Sequence, residues 1–231
     1  MTKTTGTPDI GILGTGRMGP RLAAMFARAG RKVILSSRDP ARADALVREL
    51  AIPNLRSGSH DDALRAPAIL PAIFIRDGLF DFLRPIQSRL AGKLLIDISN
   101  PFNDDYSDFL TPWTSSGAEQ LALCVPHARI VGAFKHVFWD VLDDPWFEDG
   151  PSDVMVVGDD EEAKRQFIDL AEGTPFRYLD AGPLIHARTV ERLTMITGRL
   201  GRQIGSYPRM NWKLLGDHAD TVSGSPARSG N

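Results

Sequence analysis

Residues 9–42, DIGILGTGRMGPRLAAMFARAGRKVILSSRDPAR, read as strand, glycine turn, helix, strand and basic tip in one unit, and few folds accept that succession. Ile10, Ile12 and Leu13 form a short apolar run suited to a buried parallel strand. The run stops at Gly14, Gly16 and Gly19 in the order G-x-G-x-x-G, with Thr15, Arg17 and Met18 between them. Gly14 permits a tight turn, Gly16 lets the backbone approach a pyrophosphate, and Gly19 lets the new helix pack closely on its strand. The phosphates then rest on that helix's free N–H groups and positive dipole end. Leu22, Ala23, Phe26 and Ala27 mark one helix face, Gly30 ends the helix, and Val33, Ile34 and Leu35 form the second strand.

The tip of that second strand selects the nucleotide. An NAD site places Asp or Glu there to hold the ribose hydroxyls. This chain has Ser36, Ser37 and Arg38, with Arg42 one helical turn further on. A carboxylate repels a 2′-phosphate, whereas hydroxyls and a guanidinium hydrogen-bond it, so the expected cofactor is NADP(H). Asp39, immediately before Pro40, reads as a helix N-cap rather than a displaced ribose acid.

The rest of the 231-residue chain alternates strands with helices. A helix is expected over 43–50, a short strand over 54–59, a brief helix from Asp61 and a strand over 68–74. A helix follows over 79–90, then strands over 94–98 and 129–134 around an irregular 102–120. The expected fold is α/β, a Rossmann-type doubly wound parallel sheet with a small C-terminal βαβ-plus-helix extension. The expected divisions are 1–150 for the nucleotide domain, 151–215 for the extension and 216–231 for a flexible tail. Such sheets bind ligands beyond the carboxyl ends of their strands. That nominates Ile73, Phe74, Arg76, Asn100, Ala133, Lys135 and His136 beside the glycine turn and the Ser36 to Arg38 tip.

Net charge is −2 and the basic residues are dispersed, which removes the electrostatic footprint of a nucleic-acid or anionic-membrane partner. Cys124 is the only cysteine, so there is no intrachain disulfide and no multi-cysteine metal site. Asp159, Asp160, Glu161 and Glu162 read as a helix start rather than a metal cluster, and no metal is expected. The start is polar and no apolar run is long enough to span a bilayer, so a cytoplasmic protein with a small-molecule substrate is expected. A homodimer is expected if the last helix carries an unpaired apolar face.

The motifs IGILGTGRMG, LSSRDPAR, LLIDISNP, IVGAFKH, VVGDDEEAK and LDAGPLIHARTVERLT together resemble the F420:NADP oxidoreductase family, the NADPH-dependent reductases of the deazaflavin coenzyme F420. The resemblance spans most of the chain. It implies an enzyme with F420 as co-substrate, two planar rings face to face in one cleft, and direct hydride transfer governed by positioning. Two loops depart from the family pattern. Phe74, Ile75 and Arg76 stand where a Pro-Trp type loop is frequent, and Lys135 and His136 where Asn-Thr or His-Thr is frequent. Lys135 and His136 are the candidate catalytic residues, as proton donors with near-neutral pKa if partly buried. Two other readings remain open from the residues: an NADPH-dependent reductase of a small carbonyl or imine compound, and a non-catalytic NADP(H)-sensing module.

Overall fold

The computed structural model describes residues 6–216; the expected tail at 216–231 lies, apart from Gly216, outside the described residues. The chain opens with β1 (Ile10–Leu13), α1 (Met18–Arg28), β2 (Val33–Ser36), α2 (Pro40–Leu50), β3 (Leu55–Gly58), α3 (His60–Ala63) and β4 (Ala68–Pro71). There follow α4 (Leu79–Leu83), α5 (Gln87–Leu90), β5 (Leu94–Asp97), α6 (Gly117–Cys124) and β6 (Arg129–Gly132). The six strands form one parallel sheet in the order β3-β2-β1-β4-β5-β6. The order reverses beside β1, where the chain crosses from β3 to β4, and the crevice of such a sheet opens there.

Several boundaries differ from the sequence expectation: β6 stops at Gly132 rather than Phe134, α2 begins at Pro40 rather than Ala43, and two further differences have a proline as their cause. β4 ends at Pro71 rather than at Phe74, because proline has no N–H for the ladder; the next amide, Ala72, donates to Leu13 O at 2.7 Å and the backbone then turns out of the sheet. The helix expected over 79–90 is broken into α4, a 3₁₀ turn Arg84–Ile86 and α5. Pro85 removes an intrahelical bond and crowds the preceding turn, while the apolar spacing continues across the break.

Beyond the sheet come the small hairpin β7 (Trp146–Phe147) and β8 (Gly150–Pro151), then β9 (Asp153–Val156), α7 (Glu161–Ala171) and β10 (Arg177–Asp180), with β9 and β10 parallel. An antiparallel bridge between Gly132 and Val157 joins this βαβ unit to the end of β6. Asp160 caps α7 by accepting from Ala163 N at 2.9 Å, and Arg129 beside it holds its carboxyl down at about 2. The long α8 (Ala187–Gln203) is the last helix among the described residues. One apolar core takes Ile12, Leu35 and Ile96 from the sheet, Phe26 from α1, and Val154, Phe167, Phe176 and Tyr178 from the later unit. Phe134 sits among Phe167, Phe176 and Tyr178 with ring centroids 5.8 to 6.1 Å away, so it is core rather than a cleft wall.

Candidate active site

The glycine turn follows β1 directly. Gly14 has φ +121°, and a Cβ there would lie 2.6 Å from Ala72 O; a Cβ on Gly19 would lie 2.0 Å from Gly14 O. The protein's own packing therefore dictates both glycines. Gly16 differs. It is exposed, and a Cβ there would meet nothing within 4 Å. That open space adjoins the first turn of α1, which has no side-chain cap, so its amides are free for an anion. Met18, the first residue of α1, is half-buried against the core.

The basic corner lies at the end of β2. Ser37 Oγ is 3.1 Å from Thr15 Oγ1, and Arg42 donates to Thr15 O at 3.1 Å, tying the corner to the turn. Arg38 is exposed. Asp39 accepts from Ala41 N at 3.0 Å and caps α2, as its position before Pro40 indicates. Ser36 is a correction to the expected contact set. Strand alternation turns it away from Ser37, so it is fully buried, donating to Ile12 O at 3.2 Å and meeting His60 Nδ1 at 2.9 Å. His60 was not apparent as a site residue in the sequence; only the register of α3 brings it there. Burial lowers its pKa, with Arg38 acting the same way and Asp61 opposing.

Across the crevice, Ile73 is half-buried against a further apolar cluster that includes Leu13, Leu79 and Val190, and Phe74 is 40% exposed. The Arg76 guanidinium lies 4.9 Å from the Phe74 ring centre and 4.1 Å from that of Tyr106, and donates to Asn103 O at 2.6 Å and to the Tyr106 hydroxyl. Arg76 thus fastens the 102–109 loop, which is itself closed by a Phe102 to Phe109 bridge. Asn100 is buried, its amide donating to Lys135 O at 2.7 Å. Ala133 is also a correction: it is fully buried in the core, and its N–H goes to Asp97 O at 3.0 Å.

Lys135 and His136 are placed otherwise than expected. Phe134, with φ +55°, turns the backbone so that Lys135 folds back under the sheet. Its ammonium, 1% exposed, meets Asp97 Oδ2 at 2.6 Å, Ser99 O at 2.6 Å and Glu191 Oε1 at 3.0 Å. Glu191 in turn accepts from Gly117 N and Ala118 N, which begin α6. Burial alone would lower the lysine pKa, but the Asp97 and Glu191 carboxylates outweigh it and hold the ammonium above the ordinary range. His136 is fully buried and bonded to Asp153 O at 3.2 Å, and burial pushes it down to about 4. Neither group is partly exposed or near neutral. Lys135 forms an ionic hub beyond the end of β6 that joins β5, α6 and α8, while His136 ties the same segment to β9 through Asp153.

Comparison with known proteins gives relatives for most of the chain. Residues 9–101 match the family model described as NADP oxidoreductase, coenzyme F420-dependent. The F420-dependent NADP reductase of Methanocaldococcus jannaschii is 28% identical over 80% of this chain and 88% of its own length. Metalloreductase STEAP3 of Rattus norvegicus is 31% identical over 81% of this chain, but the chain spans only 36% of that protein. A crystal structure from Arthrobacter sp. FB24, assigned as an F420-dependent NADP reductase, superposes with TM-score 0.80 at 25% identity, covering 90% of this chain and 100% of its own. An imine reductase of Pseudomonas sp. shares the fold alone, at TM-score 0.58 and 19% identity over 87% of this chain and 64% of its own.

Proposed function

Because the chain belongs to the family of coenzyme F420-dependent NADP oxidoreductases, we propose that it passes hydride directly between NADP(H) and the deazaflavin coenzyme F420. The observation that carries the reading is the open space at Gly16, which a Cβ would enter without meeting protein, beside the uncapped first turn of α1 and a corner bearing Ser37 and Arg38. Pyrophosphate and 2′-phosphate are the anions that arrangement fits. The overall exchange takes NADPH, a proton and oxidised F420 to NADP⁺ and reduced F420.

The crevice's polar groups support this acceptor over a carbonyl or imine. Those substrates need a positioned proton donor, and the two candidates for that task are both buried and bonded within the protein, Lys135 to Asp97 and Glu191 and His136 to Asp153 O. Transfer between two stacked rings asks mainly for position and exclusion of water, with the proton drawn from solvent. Exposed Phe74 and Tyr106 offer apolar ring surface at that end. We further infer that a second copy covers the exposed apolar row Ile196 and Leu200 of α8 with Ile204 just past its end; a monomer by light scattering would set that aside. The test of function is NADPH oxidation followed by absorbance with F420, a carbonyl and imine panel, and a ferric chelate as separate acceptors. Turnover with F420 is expected. None with F420, alongside turnover of another acceptor, would overturn the reading.

A further inference from the structure

Two arginines stand at the start of α1, one turn apart, and they are used differently. Arg21 is committed: its Nε meets Asp143 Oδ2 at 2.6 Å and its Nη1 donates to Arg17 O at 2.9 Å. Arg17, next to open Gly16, is exposed and takes no carboxylate or carbonyl among the described residues. What fixes it is a ring: its guanidinium carbon lies 4.5 Å from the centre of Trp139. Trp139 is braced in turn. It starts the 3₁₀ turn Trp139–Leu142, its ring meets Tyr207 edge-on at 5.8 Å, and Arg202 covers Tyr207 at 4.2 Å.

A guanidinium over an indole is held by the ring's face without spending a hydrogen bond, so its five N–H groups stay available. That is how a cation is oriented for an anion without being neutralised first. Phosphate is the anion that matches a guanidinium edge in a fork. We propose that Trp139 is a positioning residue for nucleotide binding: it holds Arg17 at the turn so that the guanidinium edge meets the dinucleotide's pyrophosphate. The inference rests on nucleotide binding at the turn and not on the identity of the hydride acceptor.

The test is the affinity of the full chain for NADPH and for NADH in a double-mutant cycle. Arg17→Met is expected to weaken both nucleotides alike, by about 10 to 100 fold. Trp139→Leu should weaken both by roughly 3 fold, and Trp139→Tyr should restore most of that. In the Arg17→Met background Trp139→Leu should change nothing further, because the platform has lost its cargo. Independent, additive losses would overturn the proposal, as would a loss confined to NADPH, which would move Arg17 to the 2′-phosphate. Arg17→Lys gives a reading that leaves Trp139 intact: an affinity near that of Arg17→Met is expected, and wild-type affinity would overturn the stacking argument. Wild-type NADPH binding without F420 turnover would remove the acceptor reading and leave this one standing; undetectable wild-type binding would overturn both.

Discussion

The glycine turn and the β5–β6 end of the sheet lie on the same rim, yet they dispose of their polar groups in opposite ways. At the turn, Gly16 faces open space, the first amides of α1 have no side-chain cap, and Arg17 and Arg38 are exposed. At the other end, Lys135 is closed off by Asp97, Ser99 and Glu191, while Glu191 spends its oxygens on α6 as well. A basic residue at a strand end is therefore not one kind of object. One with unspent N–H groups is a ligand contact, and one whose protons are all taken is a joint.

Removing the joint should have the largest effect on the fold. Lys135→Met leaves Asp97 and Glu191 buried with no cation between them, and loss of one partner of such a set costs about 3 to 5 kcal/mol. Urea unfolding should register that loss, while the surviving folded protein keeps near wild-type affinity for NADPH. A cost below about 1 kcal/mol would show the hub to be dispensable. His136 gives the next effect, through pH. The folded chain holds its pKa at about 4 against an ordinary 6.5, so as pH falls the unfolded chain takes up the proton first. Its stabilising contribution is whole above about pH 6.5 and drains away toward pH 4, on the order of 3 kcal/mol in all. His136→Asn should flatten the stability profile across that window; an unchanged slope would mean that His136 is not the group responsible.

The same contrast explains what could be read without coordinates. The β1–α1–β2 unit was legible because glycine order, helix spacing and the two strand runs are local signals that agree. Ser36 and Ser37 were indistinguishable as neighbours, although strand alternation sends one to His60 and the other to Thr15. Nothing local marks the hub, since Lys135 and Asp97 are 38 residues apart and meet only when β5 and β6 pair. Trp139 escaped for the same reason: its partner Arg17 lies at the other end of the domain in sequence. The break at Pro85 was present in the sequence, but the apolar period of the surrounding helix ran through it.

At the open end the expected losses are of ligand rather than of fold. Gly16→Val should fold with an unfolding midpoint close to wild type, since its Cβ meets nothing within 4 Å. It should bind neither NADPH nor NADH detectably, because the branched side chain takes the space the pyrophosphate needs, a loss exceeding about 100 fold or roughly 2.7 kcal/mol. Calorimetry of unfolding and nucleotide titration on the same sample separate the two effects, and retained affinity would show the turn to be structural only.

The smallest and most selective effect belongs to the basic corner. Ser37→Ala with Arg38→Ala removes a hydroxyl that already spans to Thr15 and a guanidinium that is exposed beside it. Each lost charge-assisted contact to a 2′-phosphate should cost about 1.5 to 3 kcal/mol, or roughly 10 to 100 fold in NADPH affinity. NADH carries no such phosphate, so its affinity should stay within about 2 fold of wild type. Asp39 should not take over the ribose, because its carboxylate is occupied with the α2 N-terminus. The informative quantity is the ratio of the two affinities rather than either alone, since damage to the turn would move both. Equal losses for NADPH and NADH would place the 2′-phosphate elsewhere and reduce the corner to a brace for Thr15.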